Sequence, residues 1–141
     1  MNKYDEFVQK ELAGKLTSAE VIEVTGFLYT KSLALAAVTH GLSLEGDGYF
    51  FAALTRKRMF LIATEMGAAS LKMLNKSLGE FPYTDIQSIK PGGFLNQKTL
   101  TITLNDGKEL VFRLNTLATG YASGQKKFID SLMEFHKAVK G

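Results

Sequence analysis

The densest group of chemically active side chains in the sequence is Thr55-Arg56-Lys57-Arg58, three successive cations between two apolar runs. Cations at that density suit an anion, and Tyr49, Phe50 and Phe60 stand close by as rings on which bases could stack. The plainer reading is a solvated turn whose charges keep strand edges from pairing. Gly93-Phe94-Leu95-Asn96-Gln97-Lys98-Thr99 has the outline of a phosphate loop. Gln97 stands where the glycine before the lysine is needed, however, and a strand follows where such a loop opens a helix. His40 and His136 have no Glu or His partner at metal-ligand spacing. There is no G-x-S-x-G, no H-E-x-x-H and no pair of carboxylates in an apolar setting. With no cysteine, thiolate metal sites, cysteine nucleophiles and disulfides are excluded. The expectation is a protein that is not an enzyme, with no cofactor and no metal.

Composition points the same way. The 141 residues fit one domain with a sizeable core, and 45% hydrophobic with 22% charged residues is the balance of an ordinary globular chain. A net charge of +3 is well below what a nucleic-acid protein concentrates on one face, so no nucleic acid is expected as partner. The start, Met1-Asn2-Lys3-Tyr4-Asp5-Glu6, has no apolar core of a signal peptide. The longest apolar-leaning stretch, residues 33–44, is broken by Thr39, His40, Gly41 and Ser43, far short of the ~20 residues a spanning helix needs. A cysteine-free chain suits a reducing compartment, so a cytoplasmic location is expected.

These residues must be positioned by elements that the periodicities outline. Tyr4, Phe7, Val8 and Leu12 repeat at helical spacing, with Asp5 and Glu6 in the first turn, and predict a helix over about 3–14, which Asn2 is placed to cap. Thr17-Ser18-Ala19-Glu20 has capping-box spacing, but the β-branched and aromatic run after it predicts a strand over about 21–29. The apolar runs 49–54 and 59–63 flank the basic link and predict a central hairpin. A fourth strand is placed at 70–76, and a fifth at 85–90, stopped by Pro91-Gly92-Gly93. Leu100, Ile102 and Leu104 alternate on one face, Leu110, Phe112 and Leu114 on another, with Asn105-Asp106-Gly107-Lys108 as the turn between them. A helix over 123–140 carries Phe128, Leu132, Phe135 and Val139 as one stripe, with Ile129 and Met133 beside it. An apolar stripe of this kind must be buried, and a bent antiparallel sheet is its natural partner.

The residues also carry a family resemblance. Leu54-Thr55-Arg56-Lys57-Arg58-Met59 resembles the strand-turn-strand segment of bacterial pleckstrin-homology (PH) domains and of the related GRAM domains. Phe81-Pro82-Tyr83-Thr84-Asp85-Ile86-Gln87-Ser88-Ile89 resembles their "x-P-Y-x-D-I-x-S" segment. The Gly92-Gly93 turn, the Leu100-Thr101-Ile102 strand, the Gly107 hairpin and a last helix follow in the same order. The chain is most similar to the YokE-like group, over roughly residues 21–139. The resemblance implies a mainly β, α+β fold: a PH-like, partly open barrel of about seven antiparallel strands over residues 21–115, capped by the C-terminal helix.

In such domains a phosphoinositide headgroup sits among the loops after the first, third and sixth strands. Here those loops offer Lys31, His40 and Lys108 against Glu45, Asp47, Glu65 and Asp106, too few cations for a multiply charged phosphate. The basic turn at 55–58 falls at the opposite end of such a barrel. The connection over 32–44 is longer and more apolar than these domains need. If exposed, its Leu33, Leu35 and Val38 form a partner or membrane contact; if folded back, they are core. Sheet edges in this architecture also suit strand addition by a peptide or a second copy. The sequence therefore predicts a PH-like binding module for a protein partner or self-association, with membrane lipid as the alternative. The candidate contacts are Leu33, Leu35, Val38, Arg56, Lys57 and Arg58, and no small-molecule substrate is evident.

Overall fold

The core is built on a hairpin whose two strands are buried on both sides. A computed structural model of the chain describes residues 3–30, 40–42, 48–68, 71–116 and 125–140. In it β2 (Tyr49–Leu54) and β3 (Arg58–Thr64) pair from Leu54↔Met59 to Tyr49↔Thr64. Phe50, Ala52, Leu54, Met59, Leu61 and Ala63 face one way, and Phe51, Ala53, Phe60 and Ile62 the other. Burial of both faces explains why these strands read as unbroken apolar runs rather than alternating ones.

On either side lie β1 (Val24–Tyr29) and β4 (Ser77–Pro82). A short 3₁₀ turn, Tyr83–Asp85, leads into β5 (Ile86–Phe94), β6 (Gln97–Leu104) and β7 (Glu109–Asn115). The seven strands form one antiparallel sheet in the order β4-β3-β2-β1-β7-β6-β5. Its two edges do not pair, so the sheet bends round the core without closing. The helix α2 (Phe128–Lys140) buries Phe128, Leu132 and Phe135 in the inner face. The helix α1 (Lys3–Leu12) lays Tyr4, Val8 and Leu12 on the outer face of β2 and β3, where Tyr4 and Phe7 sit 5.8 and 5.5 Å from the ring of Phe51.

The sheet is weakest where its halves meet. Between β1 and β7 only Tyr29↔Arg113 are in register. Two residues earlier the side-chain amide of Gln125 replaces the missing strand, donating to the Phe27 carbonyl at 3.0 Å and accepting from the Phe27 N–H at 2.8 Å. Next to it Gly26 admits the helix, since a Cβ there would lie 2.6 Å from Cδ2 of Phe128. At the opposite edge, the Glu80 N–H of β4 donates to the His40 carbonyl at 2.9 Å, and Leu42 drops into the core beside Gly79.

Several boundaries differ from expectation, each for a local reason. The first helix stops at Leu12 and the first strand starts at Val24. No helix follows Thr17: its N–H does donate the return hydrogen bond to Glu20 Oε1 at 3.1 Å, but Glu20 is drawn into the outer layer instead. The fourth strand is not at 70–76, where Leu71 makes only an isolated bridge to Met66, but at Ser77–Pro82. Pro91-Gly92-Gly93 does not stop the fifth strand, which stays paired with β6 to Phe94↔Gln97. The last helix starts at Phe128, and its stripe ends at Phe135, with Met133 and Val139 exposed. Leu33, Leu35 and Val38, together with Asn2, Lys31, Glu45, Asp47 and the start of the last helix as placed at 123, lie outside the described residues.

Candidate functional site

The basic turn is the first place to look, and its cations are largely spent on the fold. Arg58 points from β3 onto the outer face, where its guanidinium stacks 4.7 Å from the Phe60 ring. Arg58 Nε donates to Glu20 Oε2 at 3.0 Å and Nη2 to Glu20 Oε1 at 2.7 Å, a two-pronged pair. Nη2 also reaches the Lys15 carbonyl at 2.9 Å, and Nη1 lies 3.6 Å from Glu80. The Glu20 side chain is 1% exposed. The hydrogen bonds from Arg58 lower its pKa to about 2, with the Thr55 hydroxyl helping and burial opposing. Thr55 Oγ1 donates to Glu20 Oε2 at 2.7 Å, and the buried Tyr83 hydroxyl donates to the Thr55 carbonyl at 2.6 Å. Burial, and then the charge of Glu20, push the Tyr83 phenol upward, so it stays a donor.

Arg56 is more exposed, 4.9 Å from the ring of Phe135 and 3.9 Å from Glu23. Lys57 is exposed, and its backbone holds the turn, its N–H donating to Thr55 Oγ1 and its carbonyl accepting from Tyr83. The three cations therefore do not converge. Arg58 belongs to an internal polar network, Arg56 leans over the helix, and Lys57 faces solvent.

The loops expected to hold a headgroup are likewise self-neutralised where they are described. Glu65 is paired with Lys72 at 3.0 Å and Lys76 at 3.5 Å, and Lys72 leads in holding its carboxyl below the usual range. Lys108 lies 3.9 Å from Asp106. His40 stacks on Phe81 with ring centroids 4.7 Å apart, and its Nε2 is 3.3 Å from Asp85 Oδ2. His136 packs inward from α2, its Nε2 2.8 Å from the Ile86 carbonyl, rather than sitting free on the helix surface. Among the described residues no three His, Cys, Asp or Glu gather as metal ligands.

The side chains most out of place lie elsewhere, at the tip of the β5–β6 hairpin. Phe94 is 77% exposed and Leu95 70%. With Phe94↔Gln97 as the last pair, the link is two residues, Leu95-Asn96. Leu95 has φ +52°, a region that two-residue hairpin links normally give to glycine. Gly93, at φ +95°, brings its own backbone so near the Gln97 carbonyl that no side chain fits. The tip is also tied down: the Thr116 N–H donates to the Asn96 carbonyl at 2.9 Å, and its hydroxyl to Asn96 Oδ1 at 3.1 Å. Two large apolar side chains are thus held out in water by a turn that a glycine would make more easily. Sequence reasoning passed over them because Gly92-Gly93 looked like a terminator. The signal available was Phe-Leu in a turn position between two strands.

No family model matches the chain, and no curated protein matches it in sequence. Solved structures do match. The C-terminal domain of an unknown protein from Leishmania infantum aligns with a TM-score of 0.55 at 10% identity, covering 94% of this chain and 97% of that one. The hSac2 domain of the human phosphoinositide phosphatase Sac2 aligns with a TM-score of 0.55 at 9% identity, covering 97% of this chain and 82% of that one. At such identities the likeness is one of fold. The chain shares a PH/β-sandwich-like fold with these domains. No helix among the described residues is long and apolar enough to cross a membrane.

Proposed function

We propose that the protein is a non-catalytic binding module, a PH-like domain of the bacterial type, and that it meets its partner through the β5–β6 hairpin tip. The observation that carries this is the exposure of Phe94 and Leu95 on a turn that is itself anchored. Exposed apolar residues held in an unfavourable backbone position are a signature of contact rather than of stability. Strand addition, the other route by which such a sheet takes partners, is less well served. His40 lies across the edge of β4, and β5 carries Pro91, which has no N–H to offer. The fold shared with a domain of a phosphoinositide phosphatase is consistent with a module that works on or near lipid or protein surfaces.

The experiment is a Phe94→Ser, Leu95→Ser double variant compared with the parent in sedimentation velocity across protein concentration and in vesicle flotation. The variant should keep the parent's melting temperature and lose whichever association the parent shows. An association that persists unchanged in the variant refutes the assignment of the tip.

A further inference from the structure

Granting that the tip is the contact, its surroundings say what it contacts. The cross-strand rows place Lys90 with Thr101 and Val111, Gly92 with Thr99 and Arg113, and Phe94 with Gln97 and Asn115. Lys90, Arg113 and Phe94 therefore share the outer face of this half of the sheet. Lys98 pairs with Gly93 and Leu114 and lies on the other face. Between residues 86 and 116 the only other charges are Asp106, Lys108 and Glu109, all at the far end of the strands. Among the described residues, no ion pair engages Lys90, Lys98 or Arg113. The segment 117–124, Leu-Ala-Thr-Gly-Tyr-Ala-Ser-Gly, adds no acid.

We infer that the hairpin is a membrane wedge: Phe94 and Leu95 enter the headgroup region of an anionic bilayer while Lys90, Lys98 and Arg113 meet the lipid phosphates. Three features favour a bilayer over a protein. Two apolar side chains at a hairpin tip fall far short of the roughly 1,200 Å² that a specific protein interface buries. The cations lie on both faces of the hairpin, which suits a tip entering end-on and not a patch docking side-on. At about 3.3 Å per residue they stand between roughly 3 and 13 Å behind the tip. That matches the ~5–10 Å to which interfacial apolar groups sink, with long basic side chains able to reach along the surface.

Because the chain has no tryptophan, Phe94→Trp installs a single reporter at the tip. The probes are vesicles of phosphatidylcholine with phosphatidylserine, vesicles of phosphatidylcholine alone, and mixed vesicles with brominated acyl chains. The tryptophan emission should shift to the blue and be quenched by brominated chains on the anionic vesicles, and barely move on the neutral ones. The Phe94→Ser, Leu95→Ser variant should bind anionic vesicles on the order of a hundredfold more weakly. Lys90→Gln, Lys98→Gln, Arg113→Gln together should lose a similar factor at low salt, and less as salt screens the surface. These residues are exposed or at the surface, so circular dichroism should be unchanged. An unshifted tryptophan in the presence of anionic vesicles overturns the wedge. If the same reporter instead responds to protein concentration, the tip contacts a second copy, and only the lipid assignment fails. Vesicle binding that survives the double serine variant overturns both the wedge and the tip.

Discussion

The two halves of the sheet handle their surfaces in opposite ways. In β1 to β4 both faces are covered, by α1 outside and α2 inside, and even one cation of the basic turn, Arg58, is drawn into the packing. In β5 to β7 only the inner face is covered: Leu100, Ile102, Leu104, Leu110, Phe112 and Leu114 are buried while Thr99, Thr101, Val111 and Arg113 on the other face are not. The half with the conspicuous charge cluster uses the best placed of those charges, Arg58, for cohesion. The half that looks unremarkable carries the side chains that stability alone does not explain. Density of chemical groups in sequence is thus a poor guide to contact; what matters is whether the fold has already used them.

The contrast can be broken most forcefully in the core. Phe60→Ala, in the doubly covered half, should lower stability by about 3–5 kcal/mol in urea unfolding, while Val111→Ala on the bare face should change it by less than ~0.5 kcal/mol. Similar losses from both would mean that the outer face of β5 to β7 is packed after all. Within the basic turn, Arg58→Ala leaves Glu20 buried and unpaired and should cost about 3 kcal/mol or more, against less than ~1 kcal/mol for Arg56→Ala. Equal effects would dissolve the distinction between internal and external cations.

Acid should act on the same network. The folded pKa of Glu20 lies near 2, below its ordinary 4.5, so its contribution is complete above about pH 4.5 and is lost as pH falls toward 2. The shift corresponds to about 3 kcal/mol. Unfolding free energies measured between pH 5 and 2 should show this slope in the parent and much less of it in Arg58→Ala. At the seam, Gly26→Ala drives a methyl into the Phe128 ring and should destabilise by about 1–3 kcal/mol, read as a lowered melting temperature. The smallest effect is the most telling. Leu95→Gly relieves the left-handed backbone and should raise stability by about 1 kcal/mol while weakening whatever the tip binds. A loss of stability would mean that Leu95 is there to hold the fold.

How much of this was legible depended on whether a residue's partner was close in sequence. The alternation of Leu100, Ile102 and Leu104 around the Asp106-Gly107 turn is a local signal, and those strands were found. The central hairpin was found because two covered faces leave an unbroken apolar run. The fourth strand was misplaced because Gly79 occupies an inward position that looks empty in sequence. Its space is filled by Leu42, whose Cγ would lie 2.7 Å from a Cβ at Gly79. The role of Arg58 was hidden for the same reason, since Glu20 is 38 residues away. Thr17 and Glu20 did form a local contact, but a capping pattern does not reveal that its acid has a stronger partner elsewhere. Resemblance to PH domains led to the architecture but not to the β5–β6 tip, because its motifs mark strands and turns of the fold and carry no information about which exposed side chains make contact.

The bridge from Gln125 to Phe27 has a consequence for how the protein is made. The contact spans 98 residues, so the exposed side of the first strand has no partner until the end of the sheet and the approach to the last helix have been synthesised. At ~5–20 residues per second that interval is roughly 5–20 s on the ribosome. Throughout it Gly26 and Phe27 present an open strand edge to whatever is near, a vulnerable window for misassembly between nascent chains. One glutamine amide, arriving late, shuts it.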